Sequence, residues 1–336
     1  MGAGGMVTLG SVRGPELFRP FTAARAAVVA GVAMGIAGAL TGLIAYQVSQ
    51  REHPRGVLVE QLDIGDGLAH LRVARNPVLV EPHEFESDGE ASYRYSRPSW
   101  GWLGWLFSGG SDDRAPAAFI PLSILGAGAL AFTLAQRIGW LALGMFVLPG
   151  LLSAVVWMGP EPLGAALVVA GLGAWWWLLP VGLFRETQLL VPFVLFLRRR
   201  DVRTIAPFAV LGVWVTYLVV RLGAFPSGEN VVALWYGSSS GRGLGPPLFG
   251  ILRSVGDWGG AEYATIVVLI VSLVAATAVP ETRPFGLAFG VLALVLGWEV
   301  WQVWAHVARV LLPLQVFGLL AIGVILRRRI SPAQQA

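Results

Sequence analysis

The chain has 336 residues, of which 55% are hydrophobic and 13% charged, with a mean hydropathy of +0.67. Soluble domains carry about 25% charge, so this composition excludes an ordinary water-soluble domain and places the chain in a lipid bilayer. The absence of cysteine excludes a disulfide framework and a thiolate metal site, and the 24 basic residues, all arginine, lie at the ends of apolar runs rather than on one face. A net charge of +4 therefore reflects the positive-inside bias of cytoplasmic loops and not a nucleic-acid surface.

In chain order, Arg13, Arg19 and Arg25 precede a first apolar run over residues 26–48, long enough to cross a bilayer and read as an uncleaved span. A polar segment, residues 49–114, follows as a first extracytoplasmic loop. It gathers acids, arginines, His70 and the tryptophan band Trp100-Gly101-Trp102-Leu103-Gly104-Trp105. The next runs, 117–135 and 138–157, are joined by a tight Gln136-Arg137 turn. Residues 162–197 form one apolar block interrupted by Pro180 and Arg185-Glu186, and this block crosses either once or three times. Further runs cover 204–222, 261–280, 285–298 and 307–326. A second outer loop spans 223–260, within which residues 246–258 read as a short amphipathic interfacial helix, and a third outer segment spans 299–306. With the arginine clusters at the amino end, at 198–200 and at 327–329 all cytoplasmic, the expectation is an all-α polytopic protein of about 8–10 transmembrane helices, forming one transmembrane domain over 1–336.

The candidate chemistry lies in the polar segments. Asp66 sits between two glycines just beyond the first span, where a carboxylate can approach a substrate and take a hydroxyl proton; an Asp-Gly pair equally suits a plain turn, and Asp63 is the alternative base. Arg185-Glu186 sits inside the longest apolar block, where charges face a cavity or each other. Arg309 opens the last apolar run and has the planar fork that grips phosphate. His53, His70, His83 and His306 are not at metal-ligand spacings, which argues against a histidine metal site, while carboxylates can still hold Mg²⁺ or Mn²⁺ beside a phosphate. Walker and Gly-x-Gly-x-x-Gly patterns are absent from any strand-to-helix context.

The order of short motifs is more informative than any one of them. Asp66-Gly67, Ala74-Arg75-Asn76-Pro77, Tyr93-Arg94-Tyr95-Ser96-Arg97, Pro149-Gly150, Glu161-Pro162, the run Arg185-Glu186-Thr187-Gln188-Leu189-Leu190-Val191-Pro192 and Arg309-Val310-Leu311-Leu312-Pro313-Leu314 follow one another along most of the chain. In this order they resemble the GT-C superfamily of polytopic glycosyltransferases. The departures are His70, where an aromatic is expected, and Asn76, where a second acid is expected; the latter weakens the case for a carboxylate-held metal. The resemblance implies a plasma-membrane enzyme with an extracytoplasmic site, moving a sugar from a polyprenyl-phosphate donor to a glycan or lipid acceptor with inversion. Asp66, or Asp63, is the expected base. His70, Arg75, Arg94, Arg97, Glu161, Arg185, Glu186 and Arg309 are the expected substrate ligands. The competing readings are a flippase for a lipid-linked sugar and an inactive assembly partner with the same fold.

Overall fold

The computed structural model describes residues 25–37, 66–226, 244 and 246–330, excepting the side chains of Asp66, Glu299 and Ile330. Among these residues the protein is all-α, with one isolated β-bridge between Leu244 and Leu296. The remainder of the expected first span, Asp63 and residues 227–243 and 245 of the second outer loop lie outside the described residues.

Helix α1 (Arg25–Ala37) belongs to the first apolar run. Gly31 and Gly35, one turn apart, let it lie against a partner helix at close range: a Cβ at Gly31 would fall 2.8 Å from the Ala131 Cβ, and one at Gly35 would fall 2.7 Å from the Ile124 Cα. Membrane helices gain little from hydrophobic exclusion by lipid, so small residues at a crossing provide contact instead.

The segment expected as a loop is folded from residue 66 onward into α2 (Asp66–Arg75), α3 (Asp88–Tyr95) and α4 (Ser99–Ser108). Ser87 caps α3, its hydroxyl accepting from the Glu90 N–H at 3.1 Å, the cap a helix of eight residues needs. The glycines of the tryptophan band are crossing points, with Val73 of α2 directly over Gly101 and Phe119 over Gly104. Two of its tryptophans bond into the fold: the Trp100 indole donates to the Met158 carbonyl at 2.8 Å, and that of Trp102 to the Pro77 carbonyl at 2.6 Å. Trp100 is buried, so it pins this unit to the bundle rather than marking the headgroup level.

The α-helix α5 (Ala115–Ile138) runs straight through Gln136-Arg137, where a turn was expected. The break comes at Gly139, whose φ of +60° favours glycine, and a 3-10 segment continues over Gly139–Val147. Then follow α6 (Pro149–Val156) and α7 (Glu161–Gly171). The ambiguous 162–197 block is a chain of short pieces: α7, a 3-10 turn over Trp175–Leu178, α8 (Val181–Phe184), a second turn over Glu186–Leu189 and α9 (Leu190–Arg199). Arg185 is extended, with φ −162° and ψ 124°, which breaks the helix exactly where the charged dipeptide sits in sequence.

A 3-10 turn over Val202–Ile205 leads into α10 (Ala206–Leu222), and the chain continues with α11 (Phe249–Ser254), α12 (Gly260–Ala278), α13 (Arg283–Val295), α14 (Trp298–Gln302), α15 (Trp304–Val310) and α16 (Leu312–Ile330). Helix α11 lies within the stretch expected to run along the interface, and its Phe249 and Leu252 are exposed. Among the described residues, the segments Ala115–Val147, Val202–Leu222 and Gly260–Ala278 are long and apolar enough to cross a membrane; the pair α15 and α16, bent by 63°, makes a fourth if taken as one span.

The core runs through α5, α7 and α16, against which α6, α12 and α13 pack. Gly318 brings α16 onto α12, and Phe317 stacks flat on Phe285 with centroids 4.3 Å apart. Pro313 cannot donate to the preceding turn, which accounts for the bend before α16. Gln315 repairs the interruption: its amide accepts from the Gly150 N–H at 3.0 Å and donates to the Ala308 carbonyl at 2.9 Å. That one buried side chain ties Gly150 of the Pro149-Gly150 motif to the residues that flank the distant Arg309–Leu314 motif, Ala308 before it and Gln315 itself after it.

Candidate functional site

The site forms where α2 and α3 meet α7, α8 and the extended Arg185. Pro160 precedes α7 and Pro162 lies in its first turn, so Glu161 is fixed at the helix start, where the positive end of the macrodipole favours a carboxylate. Gln188, buried, lies over Gly164 one turn further along: a Cβ there would fall 2.5 Å from the Gln188 Nε2. That contact holds the Arg185-Glu186 segment beside Glu161, and Arg185 Nη1 bonds the Glu161 Oε1. Arg309, buried at the end of α15, reaches the same oxygen at 3.8 Å. The second oxygen of Glu161 is buried with no hydrogen-bond partner.

A second ion pair lies alongside. Arg97 grips Glu186 with both prongs, Nε to Oε2 at 2.6 Å and Nη2 to Oε1 at 2.5 Å. Arg97 Nη2 also donates to the Tyr93 hydroxyl at 3.0 Å, and its guanidinium lies 4.9 Å from the Tyr93 ring centre. Tyr93 lies in the last turn of α3 and Arg97 two residues past its end, and the bond between them brings both to the same space. Desolvation works against the charged form of Glu186, whose side chain is 45% exposed, but the Arg97 charge and fork, helped by Arg185, outweigh it and hold the carboxyl below the ordinary glutamate range.

These groups line two adjoining hollows. A polar chamber of about 20 Å³ is bounded by Ala69, His70, Tyr93, Arg94, Arg97, Pro160, Glu161, Phe184 and Arg185. It has room for about one water. Beyond it opens an apolar cavity of about 460 Å³, walled by side chains such as Leu190, Phe193, Phe208, Leu292, Leu296 and Val310. Tyr93, Arg97 and Arg185 line both, so they stand between the polar and apolar compartments.

Of the residues expected from sequence, His70, Arg94, Arg97, Glu161 and Arg185 are brought together in the chamber, Glu186 lines the adjoining cavity, and Arg309 supports Glu161. Arg94 also pairs with Glu90 at 3.6 Å. Arg75 is exposed and lines neither hollow: it lies five residues past His70 on α2, which turns it about 140° away. Asp66 is the first residue of α2, one turn before His70, and its side chain, like the whole of Asp63, lies outside the described residues. Tyr93 and Thr187 also line the site and were missed as site residues; the four-residue spacing of Tyr93 and Arg97 was the available signal for the first.

Among the described residues the chamber does not fit a divalent cation. Glu161 presents one oxygen to two guanidinium groups, and among the described residues no three His, Asp or Glu side chains converge. Asn76, where a second acid was expected, holds its own loop: its amide donates to the Glu81 carbonyl at 2.8 Å, and its carbonyl oxygen accepts from the Val80 N–H at 2.9 Å. Comparison of the chain with protein-family models, with curated proteins and with solved structures finds no match in any of the three.

Proposed function

We propose that this all-α membrane protein is a GT-C-type glycosyltransferase that moves a sugar from a polyprenyl-phosphate donor to a cell-envelope acceptor, glycan or lipid, on the extracytoplasmic side of the plasma membrane. On this reading the short apolar helices complete a bundle of about 8–10 crossings. The observation that carries the proposal is the arginine-lined polar chamber sharing a wall with an apolar cavity of about 460 Å³. A lipid phosphate needs that pairing: cations for its head and a dry channel for its tail.

The acceptor oxygen attacks the anomeric carbon from the face opposite the phosphate, with inversion. The bond from that carbon to the phosphate oxygen breaks, and its electron pair leaves with the polyprenyl phosphate. The hydroxyl proton passes to the carboxylate of Asp66 at the start of α2. The chamber arginines favour the charge that develops on the departing phosphate, and Glu161 keeps Arg185 and Arg309 oriented.

The test is transfer from radiolabelled polyprenyl-phosphate mannose, glucose or arabinose by protein reconstituted in liposomes. Wild type transfers label, and Asp66→Asn lowers the rate about 10²–10⁴-fold while the fold stays intact. A folded Asp66→Asn protein as fast as wild type overturns Asp66 as the base. Label that crosses the bilayer without transfer identifies a flippase, and neither event identifies a non-catalytic partner.

A further inference from the structure

The opposite end of α7 carries a second constellation, independent of the chamber. Helix α7 rises about 15 Å from Glu161 to its last turn. There two arginines from different helices meet its terminal carbonyls. Arg137, in the last turn of α5, points Nη2 at the Val169 carbonyl at 3.5 Å, and Arg199, the last residue of α9, points Nη2 at the Leu172 carbonyl at 3.3 Å. The absence of a side chain at Gly173 makes this possible: a Cβ there would lie 2.6 Å from the Arg137 Nη2. Immediately beyond stands the turn Trp175–Leu178, with Trp176 and Trp177 49% and 42% exposed and their rings 4.3 Å apart.

Capping a helix end satisfies only part of an arginine. Each guanidinium has five N–H donors, and the bonds to Val169 and Leu172 use one from each. The neighbouring Arg198 and Arg328 are occupied with Glu281, through its carbonyl at 3.0 Å and its carboxylate at 2.7 Å respectively. Arg137 and Arg199, by contrast, are held on carbonyls one helical turn apart, a spacing that lets both forks address one anion. Exposed tryptophans in a membrane protein sit at headgroup level. Basic pockets between membrane helices beside such aromatics suit phospholipid headgroups.

We propose that Arg137 and Arg199, flanked by Trp175-Trp176-Trp177, form a binding site for the phosphodiester headgroup of an anionic glycerophospholipid. The headgroup phosphate lies across the two guanidinium groups, and the acyl chains run along the bundle past the tryptophans. The positive-inside bias puts this end of α7 at the cytoplasmic face.

The test is lipid retention by full-length protein in nanodiscs of phosphatidylcholine with phosphatidylglycerol, read by native mass spectrometry after release. A thermal-shift titration with short-chain phosphatidylglycerol, short-chain phosphatidylcholine and glycerol phosphate accompanies it. Wild type is expected to retain phosphatidylglycerol and to be stabilised by it alone. Arg137→Gln/Arg199→Gln is expected to bind it about tenfold more weakly, while Arg75→Gln/Arg114→Gln, which removes the same charge elsewhere, retains it as wild type does. Should the first double variant fail to fold, Trp176→Ala/Trp177→Ala changes only exposed rings and is expected to lower retention severalfold. Equal retention by the arginine or tryptophan variants, equal loss in the Arg75/Arg114 control, or equal stabilisation by glycerol phosphate overturns the proposal.

Discussion

Replacing Glu161 by Gln removes one charge and almost no volume from the centre of the candidate site. The Glu161 side chain is 2% exposed, and those of Arg185 and Arg309 are 12% and 8%, so the variant leaves two guanidinium groups in a poorly hydrated pocket without their shared carboxylate. Removing one partner of a buried ion pair costs about 3–5 kcal/mol, chiefly the cost of the charge left behind. At roughly 2 °C per kcal/mol for a chain of this size, thermal unfolding followed by tryptophan fluorescence should fall by about 6–10 °C. Adding Arg185→Gln removes one of the two orphaned charges, so the double variant should recover part of the loss, and together with Arg185→Gln alone the four proteins close a cycle that reports the pair itself. A Glu161→Gln protein melting within about 1 °C of wild type would refute this account of the cluster.

Glu186 titrates below its unfolded value, so its pairing with Arg97 stabilises the protein fully above the ordinary glutamate value of about 4.3 and is lost as pH falls through the depressed one. The melting-temperature gap between wild type and Glu186→Gln should therefore close on acidification across that range, and a gap that stays constant contradicts the pairing. Leu292→Trp fills part of the apolar cavity and should raise the KM for a long-chain donor about tenfold, or about 1.4 kcal/mol, with little effect on a short-chain analogue. Gly101→Ala drives a methyl group into Val73 where α2 and α4 cross, with an expected loss of about 1–3 kcal/mol in chemical denaturation. Trp100→Phe keeps most of the buried ring but leaves the Met158 carbonyl unpaired, which should cost about 1 kcal/mol in the same assay.

The helices most legible in sequence were those that local composition alone determines. Residues 204–222 and 261–280 are uninterrupted apolar runs, and they fold as α10 and α12 within a few residues of the expected ends. Residues 66–114 resisted because their apolar faces pack on other helices and carry glycines at the crossings, a pattern that reads locally as a turn-rich loop. Gln136-Arg137 looked like a turn because a charge interrupts an apolar run, yet Arg137 finds its acceptor on α7 and the helix continues beneath it. Of the site, sequence pointed to the arginines and acids but not to their pairing. Arg97 and Glu186 lie 89 residues apart, and the segment that carries Glu186 is held by contacts no local pattern shows, Gln188 on Gly164 and Arg185 on Glu161.

The Gln315 bridge to Gly150 closes over a separation of 165 residues. At translation rates of about 5–20 residues per second, the ribosome needs roughly ten to thirty seconds to supply the second half of that clasp. Arg185, only 24 residues downstream, reaches Glu161 within a few seconds, whereas Arg309 arrives with the carboxy-terminal bent helix. A chain stopped before Pro313 therefore has the partners of the Glu161 and Arg185 couple but lacks Gln315, the side chain that ties Gly150 to the Ala308 carbonyl.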